Sequence, residues 1–232
     1  APMLKAIAQP VSADKTTAGE ETPSLNNFAI AVTATFALMF VTVLLVAGSL
    51  ALEKEENAFT RLTGGLVTRT QILVAKIGLG TIIGGAVTFL LLAGLSVFVP
   101  VDWTRAPLWI LAALFGAAAF AAGGAALGAG AREVRAATLA AVMICLPVAL
   151  LSLVPDDAVG PAIEALISVV TAAFPFRPAL DALTAGLDLT GPSMWLPMLH
   201  LALLTVVPDT APQSAATNEL VRDLRELAPV GV

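Results

Sequence analysis

The sequence predicts an all-α fold, a polytopic membrane helix bundle with about five transmembrane helices, a short cytoplasmic helix and an outer re-entrant or interfacial segment. Three observations predict it. Hydrophobic residues make up 58% of the chain and charged residues 12%, with a mean hydropathy of +0.91, far from the balance of a water-facing exterior. The charges gather in a few short stretches, so lipid is the expected solvent for most of the surface. The apolar runs also have the length a bilayer demands, roughly 20 residues for a hydrocarbon core about 30 Å thick. A formal net charge of -5 is divided among loops on two sides of a membrane and says little about partners. The single Cys145 excludes an internal disulfide framework and a cysteine-rich metal site.

Taken in order, residues 1–27 form a polar extracytoplasmic segment ahead of a transmembrane domain over 28–207. Its expected spans are Phe28–Leu52, Ile77–Val99, Leu108–Ala129, Ala136–Val154 and Ser193–Val207. The last covers only about 22 Å if helical, and Gly191-Pro192 argues against an earlier start. No span contains Asp, Glu, Lys or Arg. Between the fourth and fifth, Pro161–Phe174 is apolar and helical in character yet too short to cross. Phe174, Pro175, Phe176, Arg177 and Pro178 then supply an outer re-entrant turn.

Lys and Arg in short loops set the orientation. Lys54, Arg61, Arg69 and Lys76 lie in 53–76, and Arg132 and Arg135 lie in 131–135, whereas the opposite loops hold only Arg105 and Arg177. The first pair of loops is expected in the cytoplasm, with residues 1–27 outside and an atypical tail, 208–232, inside. Residues 1–27 have no signal-peptide core to export them, so a preceding transmembrane helix is expected to be missing from this version of the chain.

The charged interruption reads "LEKEENAFTRL", followed by "VTRTQILVAK". On a helix, Ala58, Phe59 and Leu62 fall near one face with Glu55, Glu56, Thr60 and Arg61 around them, a short amphipathic element able to lie in the membrane interface. Gly64-Gly65 ends it. Together with "AREVRAATLA" at 131–140 and "FPFRPALDAL" at 174–183, in the same order and between the same spans, this stretch resembles the type-2 ATP-binding-cassette (ABC) transporter permeases. Asn57-Ala58 stands where that family usually has Gly-Thr, and Leu66 where it usually has Pro.

The resemblance implies an ABC exporter subunit without its first helix, carrying no cofactor itself, with ATP and Mg on a separate ABC ATPase subunit. It makes Glu53, Glu55, Glu56, Ala58, Phe59, Arg61 and Leu62 the ATPase-coupling residues. It further implies a second permease copy, as a homo- or heterodimer, in a bacterial inner or plasma membrane. Drugs, lipids or other amphiphiles are the cargo it suggests, moved outward.

Other residues read more simply. Gly80 and Gly84, and Gly124 and Gly128, place small residues on one helix face for close packing in lipid. His200 is better read as hydrogen-bonded to a neighbouring helix than as a proton relay, since no span offers it a carboxylate. Asp156, Asp157 and Asp181 read as solvated loop charges. No phosphate-binding Gly-rich loop, no basic-aromatic stripe for nucleic acid and no metal cluster appears. An ion- or proton-coupled secondary transporter is the alternative, which the charge-free spans disfavour. An intramembrane enzyme would have to draw on Cys145 and His200 from different spans.

Overall fold

The computed structural model describes residues 25–56, 68–154, 167, 169–187 and 194–206. The described elements are α1 (Leu25–Glu55), α2 (Arg69–Leu95), a 3₁₀ turn (Trp103–Arg105), α3 (Ala106–Gly130), α4 (Val134–Leu151), α5 (Phe176–Leu187) and α6 (Trp195–Val206). The fold is an all-helical membrane bundle. Among the described residues, four helical stretches are long and apolar enough to cross a membrane: Asn26–Glu55, Thr70–Leu95, Trp103–Gly130 and Val134–Leu151. Helix α6 is apolar and shorter, at 12 residues.

In α1, pairs of buried residues recur every four positions, from Ile30 and Ala31 through Leu38 and Met39 to Leu50 and Ala51. Four residues advance an α-helix by one turn plus about 40°, so this stripe winds around α1 and meets several neighbours. The neighbours approach closely because they offer glycine. A Cβ on Gly124 would lie 2.9 Å from the Val43 carbonyl oxygen, and one on Gly128 would lie 2.7 Å from that of Ala47. Both glycines of α3 therefore rest on the α1 main chain, where a side chain has no room to yield. Gly80 and Gly84 of α2 face Val46, Thr42 and Leu38 of α1, with Ala121 and Ala117 of α3 beside them. Without a hydrophobic driving force between helices in lipid, such close approach supplies the dispersion energy that holds a bundle together.

The threonine hydroxyls along these helices donate to the carbonyl one turn back, as in Thr35 to Ala31 (2.7 Å) and Thr88 to Gly84 (2.9 Å). The helix itself thus satisfies groups that lipid cannot. Pro147 sits inside α4 on an exposed face, while Ala137, Ala141, Cys145 and Ala149 form its buried edge.

Helix α5 reaches deep into the bundle. Phe174 packs on Phe120 with ring centroids 6.1 Å apart, and Phe176 packs edge-on against Phe36 at 4.8 Å. Phe120 lies 14 residues beyond Ala106, about 21 Å down the α3 axis. From there α5 climbs back antiparallel to α3: Ala179 sits beside Gly116, Gly186 against Trp109, and the Ala185 carbonyl accepts from Arg105 Nη2 at 3.1 Å. Residues 169–173 are helical and form the arm that precedes this helix. Phe174 and Pro175 make the bend, and Phe176, Arg177 and Pro178 make the first turn of α5, where a proline is tolerated because its missing N–H has no helical acceptor. Asp181 thus belongs to a mostly buried helix and not to a solvated loop, because α5 is too short to span and its depth comes only from packing on α3. The expected segments 1–24, 57–67, 155–166, 188–193 and 207–232 lie outside the described residues.

The glycine contacts make a direct prediction. Gly128→Ala should lower the thermal midpoint of the detergent-purified protein, by an overpacking cost of about 1–3 kcal/mol. Gly123→Ala, where a Cβ meets nothing within 4 Å, should leave it unchanged or raise it slightly. Equal midpoints for the two variants would contradict this packing.

Candidate functional site

The interruption after the first span begins as helix. α1 continues through Glu55, and successive residues on a helix point about 100° apart. Three adjacent side chains therefore reach three different neighbours. Glu53 Oε1 meets Lys76 Nζ of α2 at 2.7 Å, with the two side chains only 20% and 22% exposed. Lys54 Nζ donates to the Ala129 carbonyl and lies 3.5 Å from that of Gly128, at the end of α3. Glu55 Oε2 accepts from the Val134 backbone N–H at 3.2 Å, at the start of α4.

The signs match the ends. The last carbonyls of a helix carry partial negative charge and its first N–H groups partial positive charge. Lysine stands on the carbonyl end of α3 and glutamate on the amide end of α4. Neither helix provides these caps from its own flank: Glu133, the N-cap of α4, makes no side-chain cap, and Ala131, in extended conformation, follows α3 in place of a closing glycine. The turn between α3 and α4 is thereby capped by α1.

The other side of the charged connector is also fixed. Thr68 Oγ1 accepts from the Gln71 backbone N–H at 3.3 Å, while Gln71 Oε1 accepts from the Thr68 N–H at 2.9 Å. This reciprocal capping box defines the start of α2, and Lys76 then ties α2 back to Glu53. Both residues that flank 57–67, Glu56 and Thr68, thus border turns fixed by side-chain contacts.

Of the residues expected to couple to an ATPase, Glu53 and Glu55 bond to neighbouring helices, and Glu55 and Glu56 are exposed. Ala58, Phe59, Arg61 and Leu62 lie outside the described residues. Lys54 was missing from the expected set. The available signal was a Lys flanked by two Glu at the end of a span, opposite the uncapped turn Ala131-Arg132-Glu133.

His200 of α6 has its Nε2 2.8 Å from the Ala172 carbonyl. A carbonyl only accepts, so Nε2 carries the proton and donates. Pro175, which has no N–H to give, follows shortly after, and His200 supplies a donor to a carbonyl near the end of the preceding arm. Among the described residues no group of three or more His, Cys, Asp or Glu could hold a metal ion.

Apolar helices of spanning length, with charges fixed at their ends, define a polytopic helical membrane protein. The chain matches the family model described as ABC-2 family transporter protein over residues 3–208. It belongs to that family, and is a membrane permease of an ABC transporter, a transport subunit and not an enzyme. No curated protein and no solved structure gives a match.

The ion pair between α1 and α2 can be tested by exchange. Glu53→Lys should lower the thermal midpoint in detergent by juxtaposing like charges, and adding Lys76→Glu should recover much of the loss. A coupling of about 1 kcal/mol is expected for a pair that retains some exposure. A double variant no better than the single one would show that the pair contributes nothing.

Proposed function

We propose that this chain is the membrane-spanning subunit of an ATP-driven exporter that moves an amphiphile outward across the cell membrane, with ATP and Mg held by a separate ATPase subunit. Two permease copies would stand side by side, and the end bearing Glu53, Lys76 and Glu133 would face the cytoplasm. The observation that carries this reading is the anchored connector. Residues 57–67 follow a turn of α1 tied to α2, α3 and α4, and precede the capping box that opens α2, the helix whose Lys76 pairs with Glu53. A push on the connector is passed to four helices together, which is what a coupling element between ATPase and transport path needs. The amphipathic face of Ala58, Phe59 and Leu62 would meet the ATPase, with Glu56 and Arg61 at the rim.

Asp181 within α5 gives the ion-coupled alternative a carboxylate at depth, which the spans themselves lack. Membership of an ABC transporter family favours ATP as the energy source. Transport in reconstituted vesicles separates the two: dependence on ATP and the ATPase supports the exporter, and uptake driven by a proton gradient alone supports the alternative.

Two outcomes test the assignment. Phe59→Ala should reduce assembly with the ATPase or cargo-stimulated hydrolysis by tenfold or so, a loss of about 1.4 kcal/mol or more, because buried aromatic anchors dominate interfaces. Glu56→Gln should change either by less than about 1 kcal/mol. If Phe59→Ala, Leu62→Ala and the pair leave both quantities intact, the connector does not couple. For orientation, Thr68→Cys and Thr104→Cys, each in a Cys145→Ala background, should label from opposite sides, and labelling of Thr68→Cys by an impermeant external reagent would invert the topology.

A further inference from the structure

A cavity of about 270 Å³ lies between the arm 169–173, the first turns of α5 and α6. Arg177, Asp181 and His200 line it, with Leu196 and Pro197 at its edge. Its depth follows from the packing of α5 on α3. Arg177 stands between Phe174, level with Phe120, and Ala179, level with Gly116, which is about 15–21 Å along α3 from Ala106. Asp181 is one turn higher. Charged side chains at such depth are costly, and where they occur they face a cavity or one another and mark a site.

The cavity is polarised. Arg177 and Asp181 lie four residues apart, hence on one face of α5, and each also interacts within the protein, so a ligand meets an ordered pair of opposite charges. His200, with Nε2–H committed to Ala172, keeps Nδ1 as an acceptor in its neutral form. At about 270 Å³ the space falls below the roughly 300–1,000 Å³ of sites that enclose a whole drug-sized ligand. It fits a headgroup. Leu196 is both part of its lining and 74% exposed, and Leu199 and Leu203 continue an exposed apolar stripe down α6. A hydrocarbon chain attached to that headgroup would lie along this stripe, in lipid.

We propose that this cavity binds the zwitterionic headgroup of an amphiphile that enters sideways from the bilayer, with its anionic group on Arg177, its ammonium on Asp181 and its chain beside Leu196, Leu199 and Leu203. The assignment rests on reading the chain as an amphiphile transporter, and it names the cargo class. A zwitterion offers a counter-charge to both members of the pair, whereas an anionic or a cationic amphiphile matches only one of them. Selectivity therefore comes from the disfavoured charge as much as from the favoured one.

The test uses the purified permease in neutral detergent without its ATPase, so a failure of ATPase coupling leaves it intact. A short-chain phosphocholine, a chain-matched phosphate monoester and a chain-matched quaternary ammonium are titrated below their micellar concentrations, and binding is followed by calorimetry. The phosphocholine should bind about tenfold tighter than either competitor, a difference of about 1.4 kcal/mol. Asp181→Asn should abolish its advantage over the phosphate ester, and Arg177→Gln its advantage over the ammonium. Leu196→Trp, at an exposed position, should weaken all three by crowding the mouth without touching a charge. Equal affinities for the three ligands in the wild type would overturn the proposal. So would charge variants that lower the thermal midpoint but leave the order of affinities unchanged, since Arg177 and Asp181 would then serve only structure. Should Asp181→Asn fail to fold, unchanged binding by Leu196→Trp overturns it instead.

Discussion

Because the main chain of α1 at Val43 and Ala47 fills the space that side chains on Gly124 and Gly128 would need, α3 lies against α1 at backbone distance, and the remaining contacts inherit that geometry. The approach carries the end of α3 to the last turn of α1, within reach of Lys54, and the short turn that follows brings the start of α4 to Glu55. Had α3 stood a side chain further off, neither cap would close. Gly80 and Gly84 draw in α2 by the same means, so that Lys76 arrives opposite Glu53. A packing constraint inside the bilayer thus sets an electrostatic arrangement at its edge.

A second constraint governs the other half of the molecule. Backbone groups in hydrocarbon must be satisfied by the protein, yet the chain reverses at Phe174 and Pro175, level with the middle of α3. The structure meets the need locally. The bend is wedged among Phe36, Phe120 and buried α5 residues, and His200 reaches from α6 to the Ala172 carbonyl. Once α5 is held at that depth, Arg177 and Asp181 are carried with it into a region where ionised side chains are rare. The polar cavity is a consequence of the reversal.

Two regions of the bundle share one helix. In one, the last turn of α1 is fixed to α2, α3 and α4. In the other, the short helix α5 packs along α3. Helix α3 belongs to both, since its last turn is capped by Lys54 and its first half is the surface on which α5 climbs.

Much was legible from residue order alone. Long apolar runs without a charge could only be spanning helices, and the Lys- and Glu-bearing interruptions could only be their ends, because the cost of ionised groups in lipid depends on composition and length. The motifs around Glu53, Arg132 and Phe174 were enough to suggest the family. Packing was not legible to the same degree. A helix in lipid is apolar on its buried and its exposed faces alike, so the winding stripe of α1 leaves no periodic signal, and only the paired glycines hint at which side touches a neighbour. The depth of α5 was hidden because 12 residues cannot span and so read as loop; packing on α3 decided it. The roles of Lys54 and Glu55 were hidden for another reason. Their partners stand 74 to 79 residues away in the chain, and only the close approach of α3 to α1 brings them into contact.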